Sequence, residues 1–204
     1  WSAGENARRG RLRPISRRRV FIGAAALGVA ACIALLIAPT VVLRLEADQV
    51  TATAELRSVS LEDGSTVRMG PDSAIAIAFA NGDRRVRLLK GEAFFEVAHD
   101  PDHPFRVTAG AMETTVLGTG FDVRLEDKGA SVAVQHGRVR VDYPAARPPV
   151  SERLDAGEWI NVTWAGAAEQ GTTPPNEVAS WLRGQLVARA RPLSHVVDDL
   201  RRYY

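Results

Sequence analysis

The stretch LEDGSTVRMGPDSAIAIAFANGDRRVRLLKGEAFFEV (residues 61–97) decides the fold class. Its apolar residues occur in short runs that alternate with polar residues, and turn dipeptides separate the runs. Asp63-Gly64 and Asn81-Gly82 are two such dipeptides, and both supply the positive φ angles that tight hairpins need. The pattern therefore predicts β-hairpins and an all-β domain.

The same signals continue toward the C-terminus. His136-Gly137 separates residues 131–135 from 138–143, which predicts a third hairpin. An apolar residue followed three positions later by glycine recurs at Leu61/Gly64, Leu88/Gly91, Val134/Gly137 and Leu154/Gly157. The intervals are too irregular for a strict solenoid. We therefore expect similar hairpin units over residues 50–164, wound as a twisted two-sheet sandwich or a β-helix-like stack.

An uncharged segment precedes this domain. Val20 to Leu43 contains no charged residue, and at ~1.5 Å per residue a helix of this length would span ~36 Å, more than the ~30 Å hydrocarbon core of a bilayer. Because arginines precede it, the positive-inside rule predicts a single-pass inner-membrane protein. A basic stub, residues 1–19, would lie in the cytoplasm, and residues 44–204 would lie in the periplasm.

Other interpretations of the segment stay open. The apolar core of a cleaved signal peptide is usually about 7–15 residues, which is shorter than this run. Val29-Ala30-Ala31-Cys32 resembles a lipoprotein cleavage box, but the sequence continues apolar to Ala38. Arg18-Arg19 resembles a twin-arginine export signal, which can coexist with an uncleaved anchor. Since the chain begins at Trp1, we expect a further portion before it.

Charge is distributed unevenly along the 204 residues. Seven of the 26 basic residues and one of the 24 acidic residues lie in positions 1–19, which leaves 19 basic and 23 acidic residues for the rest. The folded part is therefore net acidic, which argues against a nucleic-acid partner. The single cysteine, Cys32, lies in the apolar run, so no internal disulfide can form.

The C-terminal part of the sequence changes pattern. Residues 165–175 have the composition of a linker, and residues 176–204 predict a partial α+β module in which Asn176 caps a helix and residues 185–190 form a strand. The chain stops at Tyr204 as a second helical stripe is established, so we expect the module to be incomplete. Its apolar residues are candidates for partner binding, namely Trp181, Leu193, Val196, Val197 and Leu200. Packing of these elements on the β domain is the alternative.

Six blocks, in this order and spacing, resemble the FecR family of regulators: LEDGSTVRMGPDSAIAI (61–77), RRVRLLKGEAFFEVAHDPDHPFRV (84–107), VLGTGFDVR (116–124), VAVQHGRVRV (132–141), LDAGEW (154–159) and WLRGQLVARARPLSHVVDDLRRY (181–203). The resemblance implies a transmembrane anti-sigma-factor-type regulator. Its partners would be the signalling domain of an outer-membrane TonB-dependent receptor and an extracytoplasmic-function sigma factor. The latter is held in the family by an N-terminal domain that residues 1–19 do not supply, and the signal would concern iron or siderophore uptake.

The resemblance also implies self-cleavage between Gly118 and Thr119. A threonine hydroxyl can attack the preceding carbonyl and exchange an amide for an ester that water then opens. A tight turn at these residues is the structural alternative. No base is evident beside Thr119 in the sequence.

No feature predicts an enzyme with turnover, a cofactor or a metal ion. The cluster His99, Asp100, Asp102 and His103 lies before Pro104, and its spacing matches a loop better than a ligand set. Triad-like groupings and phosphate loops do not occur. A membrane-anchored module that binds cell-wall glycan is an alternative function, although 6% aromatic residues and the lack of an aromatic row on the strands argue against it.

Overall fold

The computed structural model describes residues 41–80 and 82–185, together with 38, 187, 197, 201 and 203. The chain divides into two units, residues 1–42 and 43–204, and each is described by itself. The predicted span, 20–43, lies outside the described residues except at 38 and 41–43, which are helical. Within the described part of the chain, no helix is both long enough and apolar enough to cross a bilayer.

The second unit is built from strands, which confirms the predicted all-β class. They are β1 (Gln49–Val50), β2 (Arg57–Ser60), β3 (Thr66–Met69), β4 (Ala74–Ala80), β5 (Asp83–Glu96), β6 (Phe105–Ala109), β7 (Met112–Val116), β8 (Gly120–Glu126), β9 (Gly129–His136), β10 (Arg138–Tyr143), β11 (Val150–Asp155), β12 (Glu158–Thr163) and β13 (Ala168–Thr172). Two short 3₁₀ helices follow, η1 (Pro175–Glu177) and η2 (Ser180–Arg183). Residues 41–46 are also helical.

The strands form two sheets that share the long strand β5. Sheet A has the order β1-β4-β5-β6-β7-β10-β11, and sheet B has the order β2-β3-β5-β8-β9-β12-β13. The first half of β5, up to Lys90, pairs in sheet A, and the second half, from Gly91, pairs in sheet B. Every pairing is antiparallel except that of β5 with β6, which is parallel.

Hairpins alternate between the two sheets along the chain. The pairs β6-β7 and β10-β11 belong to sheet A, whereas β8-β9 and β12-β13 belong to sheet B. The chain therefore crosses between the sheets after each hairpin. This arrangement agrees with the predicted two-sheet sandwich of similar hairpin units.

Glycine with positive φ marks three of these crossings. Gly91, Gly137 and Gly157 have φ of 84°, 82° and 85°, and each lies where the chain passes from one sheet to the other. The prediction of a hairpin at Gly137 is therefore wrong, because β9 and β10 lie in different sheets. The hairpins at Gly64 and Gly82 are confirmed. After a residue in the left-handed conformation, the chain can form a hairpin or can continue into the facing sheet. A turn dipeptide such as His136-Gly137 does not distinguish the two outcomes.

One apolar core fills the space between the sheets. Phe95 of sheet B packs edge-on against Phe105 of sheet A, with ring centroids 6.2 Å apart, and stacks on Phe121 at 5.3 Å. The three rings are fully buried. Along β10, Val139 and Val141 point into this core while Arg138 and Arg140, which alternate with them, face solvent, so the half-exposed pattern expected from alternation is observed.

The C-terminal part differs from the expectation in two places. Residues 165–175 do not form a plain linker, because β13 pairs with β12 across five residues of each strand. The predicted α-helix capped by Asn176 is replaced by η1 and η2, which Ala179 separates in a left-handed conformation with φ of 49°. Val178 lies between the two helices, and Trp181 lies within η2. Both are buried, so docking onto the β domain has overridden the helical periodicity.

The glycines allow a matched test of the crossings. Gly91 and Gly64 have nearly equal φ, but a Cβ at Gly91 would lie 2.2 Å from Ser73 Oγ and 2.8 Å from the Asp72 carbonyl, whereas a Cβ at Gly64 would meet nothing within 4 Å. Gly64→Ala should cost only backbone strain, about 1–2 kcal/mol. Gly91→Ala should cost about 1–3 kcal/mol more because of the clash. Urea unfolding of both variants measures the difference, and equal costs would show that the crossing has room to relax.

Candidate functional site

The Gly118-Thr119 bond lies in residues 117–119, where the chain leaves sheet A after β7 and enters sheet B at β8. Two other crossings flank it. Residues 97–104 lead from β5 to β6 on one side, and Gly137 lies on the other. We call these three adjacent crossings the seam. The predicted turn at Gly118 is therefore a passage between sheets rather than a hairpin.

Backbone hydrogen bonds hold the Gly118-Thr119 peptide bond in place within the seam. The Val97 amide donates to the Thr119 carbonyl at 3.1 Å, and the Asp100 amide donates to the Leu117 carbonyl at 2.8 Å. The Thr119 side chain is 1% exposed, and its hydroxyl donates to the Arg138 carbonyl at 3.0 Å. The hydroxyl proton of Thr119 is therefore held by a backbone acceptor from the neighbouring crossing.

Two histidines border residues 117–119. Neither was predicted from the sequence to lie beside the Gly118-Thr119 bond. A Cβ on Gly118 would lie 2.6 Å from His99 Nδ1, and one on Gly120 would lie 2.4 Å from His136 Nε2. The clash at Gly118 involves the backbone of His99, whereas the clash at Gly120 involves only the ring of His136. The His136 ring nitrogen Nε2 lies 2.9 Å from Glu96 Oε1, because Gly120 separates the two strands that carry them and presents no side chain.

Neither histidine serves as a base for the threonine in this geometry. No titratable side chain of the described residues hydrogen-bonds the Thr119 hydroxyl, whose acceptor is a peptide carbonyl. The arrangement places the Thr119 hydroxyl beside a peptide bond whose conformation is restricted. It also holds the imidazole groups of His99 and His136 next to Gly118 and Gly120. No local sequence signal locates either histidine, because each is separated along the chain from the glycine that it contacts.

Arg84 holds the 97–104 crossing in place. Its side chain is almost completely buried, and its guanidinium donates to Asp63 Oδ2 at 3.0 Å, to the Ala98 carbonyl at 3.1 Å and to the Asp100 carbonyl at 3.2 Å. Two further bonds reach the His103 carbonyl. Through these contacts one cation ties the tip of the β2-β3 hairpin to the backbone beside Gly118.

The acidic and histidine cluster of this crossing forms a capped turn. Asp100 accepts hydrogen bonds from the backbone amides of Asp102 and His103 at 3.1 and 3.2 Å and pairs with the His103 ring at 2.9 Å. The His103 hydrogen bond is the largest cause of a lowered Asp100 pKa. His99 points instead toward Gly118. In the described part of the chain, no group of three or more potential ligands comes together that could hold a metal ion.

An open cleft of about 420 Å³ lies over the seam. Its lining combines apolar and basic groups: His99, Thr115, Val116, Leu117, Gly118, Thr119, Arg138, Arg140 and Arg153. The candidate bond therefore lies on the wall of a solvent-accessible groove, although the Thr119 side chain itself is buried.

Comparison with known proteins bears on this region. The sequence model of the FecR protein family matches residues 47–140, from just before β1 into β10 and across the whole seam. Two crystal structures of a candidate anti-sigma factor from Parabacteroides distasonis ATCC 8503 are similar to the chain, each with 32% sequence identity. They cover 76% of this chain and 73–74% of their own, with TM-scores of 0.70 and 0.71.

The chain belongs to the FecR family.

No curated protein matches the sequence. The FecR match ends within β10, but the similar crystal structures cover a larger share of the chain. The two-sheet fold is therefore shared beyond the matched segment. The resemblance stated from the six sequence blocks is confirmed.

A second buried site of this FecR-family chain joins its C-terminal segment to sheet B. Trp181 is 6% exposed and packs with Phe94, Val178 and Ala179 on the outer face of the sheet. Its indole nitrogen donates to Asp122 Oδ1 at 3.1 Å. The structure thus places Trp181, a predicted partner-binding residue, in a contact within the chain.

The remaining predicted partner-binding residues are only partly described. Val197 is helical and 41% exposed. Leu193, Val196 and Leu200 lie outside the described residues, as does most of the predicted strand 185–190. Their binding role stays a prediction.

Burial gives Asp122 unusual protonation behaviour. Desolvation raises the pKa of this carboxyl well above its usual value, and the neighbouring Glu92 carboxyl raises it further by charge repulsion and by a side-chain hydrogen bond. The Trp181 hydrogen bond and Arg124 oppose the shift but do not cancel it. A neutral Asp122 can donate to Glu92 and still accept from Trp181.

We expect Asp122→Asn to remove a pH dependence of stability. Since the folded-state pKa of Asp122 is raised, its stabilising effect is complete below the unfolded-state pKa of ~3.9 and is lost as pH rises through the folded-state pKa. Asparagine cannot ionise but still accepts from Trp181. Thermal unfolding from about pH 4 to about pH 8 should show the variant gaining stability relative to wild type as pH rises.

Asp127→Asn, at an exposed turn position, is the control for this measurement. Both variants remove the same charge, so the difference between their pH profiles isolates the effect of the buried position. If the Asp122 variant follows the wild-type profile in parallel, the buried carboxyl is not protonated in the folded protein.

Proposed function

We propose that this chain is an anti-sigma-factor-type transmembrane regulator, anchored in the inner membrane by residues 20–43 with its β domain in the periplasm. The observation that carries the proposal is the likeness to the Parabacteroides distasonis candidate anti-sigma factor over three quarters of the chain. FecR membership supports the same role. The arginine-rich residues before the apolar run support the orientation.

The signal would come from the signalling domain of an outer-membrane TonB-dependent receptor during uptake of iron or a siderophore. It would reach an extracytoplasmic-function sigma factor through an N-terminal domain ahead of residues 1–19. Such a relay works by protein contacts and regulated proteolysis, without a cofactor and without catalytic turnover. Exposed apolar residues of the C-terminal segment, such as Val197, support a contact with the receptor on the periplasmic side.

Self-cleavage at Gly118-Thr119 is part of the proposal. Thr119 Oγ1 attacks the Gly118 carbonyl carbon, the C–N bond breaks, and the hydroxyl proton passes to the released amine. Water then hydrolyses the ester and gives a Gly118 carboxylate and a free Thr119 amine and hydroxyl. The buried position of Thr119 and the hydrogen bonds that hold both neighbouring carbonyls support this geometry, because they restrict the peptide bond to one conformation.

Thr119→Ala should abolish cleavage, and Thr119→Ser should retain it, because serine keeps the hydroxyl. Purified full-length protein would be separated on a denaturing gel, and the N-terminus of each product would be sequenced. We expect one product to begin at Thr119. Thr114→Ala, in the adjacent strand, is the control and should leave cleavage unchanged. Two wild-type fragments from Thr119→Ala would exclude this bond.

Val197→Asp should reduce capture of the receptor's signalling domain by at least about tenfold, since a buried charge would face an apolar contact. Capture of the signalling domain on the immobilised chain measures the receptor contact. A sigma-factor reporter in cells measures the regulatory output. Leu56→Asp, at an apolar position of the β domain that is 52% exposed, should leave both unchanged. Normal capture by Val197→Asp would locate the contact elsewhere. Normal capture with no effect of the chain on the reporter would contradict the regulatory role.

A further inference from the structure

A row of basic side chains crosses the outer face of sheet A. The register places Arg85, Arg106, Thr115, Arg140 and Arg153 side by side on five neighbouring strands. On β5, β6, β7 and β10 the residues on either side of the row are buried, so the members of the row face outward there, and the register places Arg153 of β11 in the same row. Like charges directly opposite on adjacent strands destabilise a sheet. The row therefore carries an energetic cost that packing does not explain.

Acids offset only part of this charge. Asp83 serves both Arg85 and Arg106, at 3.4 and 2.9 Å. Arg140 pairs with Asp142 at 2.8 Å, and in the neighbouring row Arg138 pairs with Asp155 at 2.7 Å. For the Arg153 guanidinium, the described residues provide neither an ion pair nor a hydrogen bond. Arg153 stands directly opposite Arg140.

The hydroxyl of Thr115 is a second unsatisfied group in the same place. Thr115 lies opposite Arg140, and its Oγ1 is buried without a hydrogen-bond partner among the described residues. Because the side chain itself is partly exposed in the cleft, rotation about its Cα–Cβ bond would present the hydroxyl to a ligand there. Such a group costs ~1–3 kcal/mol. Thr115, Arg140 and Arg153 all line the cleft over the seam, where Leu117 exposes 42% of its surface. An anionic ligand with an apolar part would relieve each of these costs.

We propose that this cleft binds an acidic segment of a partner polypeptide, with one carboxylate held by Arg153, Arg140 and the Thr115 hydroxyl and a neighbouring apolar side chain on Leu117. Guanidinium groups match carboxylates through paired N–H donors, and a threonine hydroxyl adds a third donor. The cleft volume of about 420 Å³ exceeds what a single small anion needs and fits a few side chains.

The charge balance favours a peptide over a polyanion. Because Arg138 and Arg140 already have acidic partners, the surplus charge in the cleft is close to that of Arg153 alone. A membrane surface or a nucleic acid would call for many unpaired cations. One carboxylate next to an apolar residue matches one surplus cation next to Leu117. This binding site requires neither self-cleavage nor the receptor contact, so it stands independently of the proposed function.

The test uses short peptides of glycine and serine with blocked termini that carry one Glu-Leu pair, a Gln-Leu pair or a Glu-Gly pair. Saturation-transfer NMR on the peptides measures their affinity for the full chain in non-ionic detergent. The Glu-Leu peptide should bind at least about tenfold more tightly than the Gln-Leu peptide, and more tightly than the Glu-Gly peptide. Equal binding of Glu-Leu and Gln-Leu peptides would overturn the proposal.

Variants of the chain then locate the site. Arg153→Gln should weaken Glu-Leu binding by about tenfold. Thr115→Val should weaken binding several-fold and raise the midpoint of thermal unfolding, because it removes an unsatisfied hydroxyl without changing the side-chain volume. Arg87→Gln, on the same face but outside the cleft, should bind as wild type does.

Three further results would overturn the proposal. Unchanged peptide binding by Arg153→Gln would show that the surplus cation is not used. An equal loss with Arg87→Gln would show general charge attraction. Binding of glycerol phosphate, the headgroup unit of anionic lipids, in preference to the Glu-Leu peptide and dependent on Arg153 would assign the cleft to lipid instead.

Discussion

The seam depends on the hydrogen bonds that the buried guanidinium of Arg84 makes. The guanidinium donates hydrogen bonds to Asp63, in the turn of the β2-β3 hairpin, and to three backbone carbonyls of the 97–104 crossing. The ring of Phe105 packs under it, with the guanidinium carbon 5.7 Å from the ring centroid. A buried charge is tolerated when its donors are paired, and here the partners come from segments that are far apart in sequence. The position of the Gly118-Thr119 bond follows, because its flanking carbonyls accept from amides of that crossing.

The sequence predicted the hairpins better than it predicted their arrangement. Alternation of apolar and polar residues and the turn dipeptides located β3, β4, β9 and β10, since these signals are local. The crossing at Gly137 was mistaken for a hairpin because a left-handed glycine has the same local signature in both settings. Which sheet receives the next strand is decided by nonlocal pairing. The edge strand β13 was missed for a related reason, because its sequence, AEQGT, is polar and its stability comes from backbone bonds to β12.

The candidate site was predicted in part. The Gly118-Thr119 pair was located by resemblance, while the surroundings of the bond depend on residues that lie far from it in sequence. His136 and Glu96, 40 positions apart, meet over Gly120 because three strands place them in one row. Trp181 and Asp122 are 59 positions apart, and their hydrogen bond converts an apparent helix face into a buried anchor. In both cases no local pattern distinguishes a side chain that packs within the chain from one that is offered to a partner.

The topology bears on what a break at Gly118-Thr119 would do. Strands β1 to β7 precede the bond and β8 to β13 follow it, and each set contributes strands to both sheets. The two parts meet in sheet B along β5 and β8, through six residue pairs, and in sheet A along β7 and β10, through four. Phe95 and Phe121 stack across the first boundary inside the common core. Separation would break both ladders and expose that core, so hydrolysis of the one covalent link at the seam leaves the two parts held together by the rest of the sandwich.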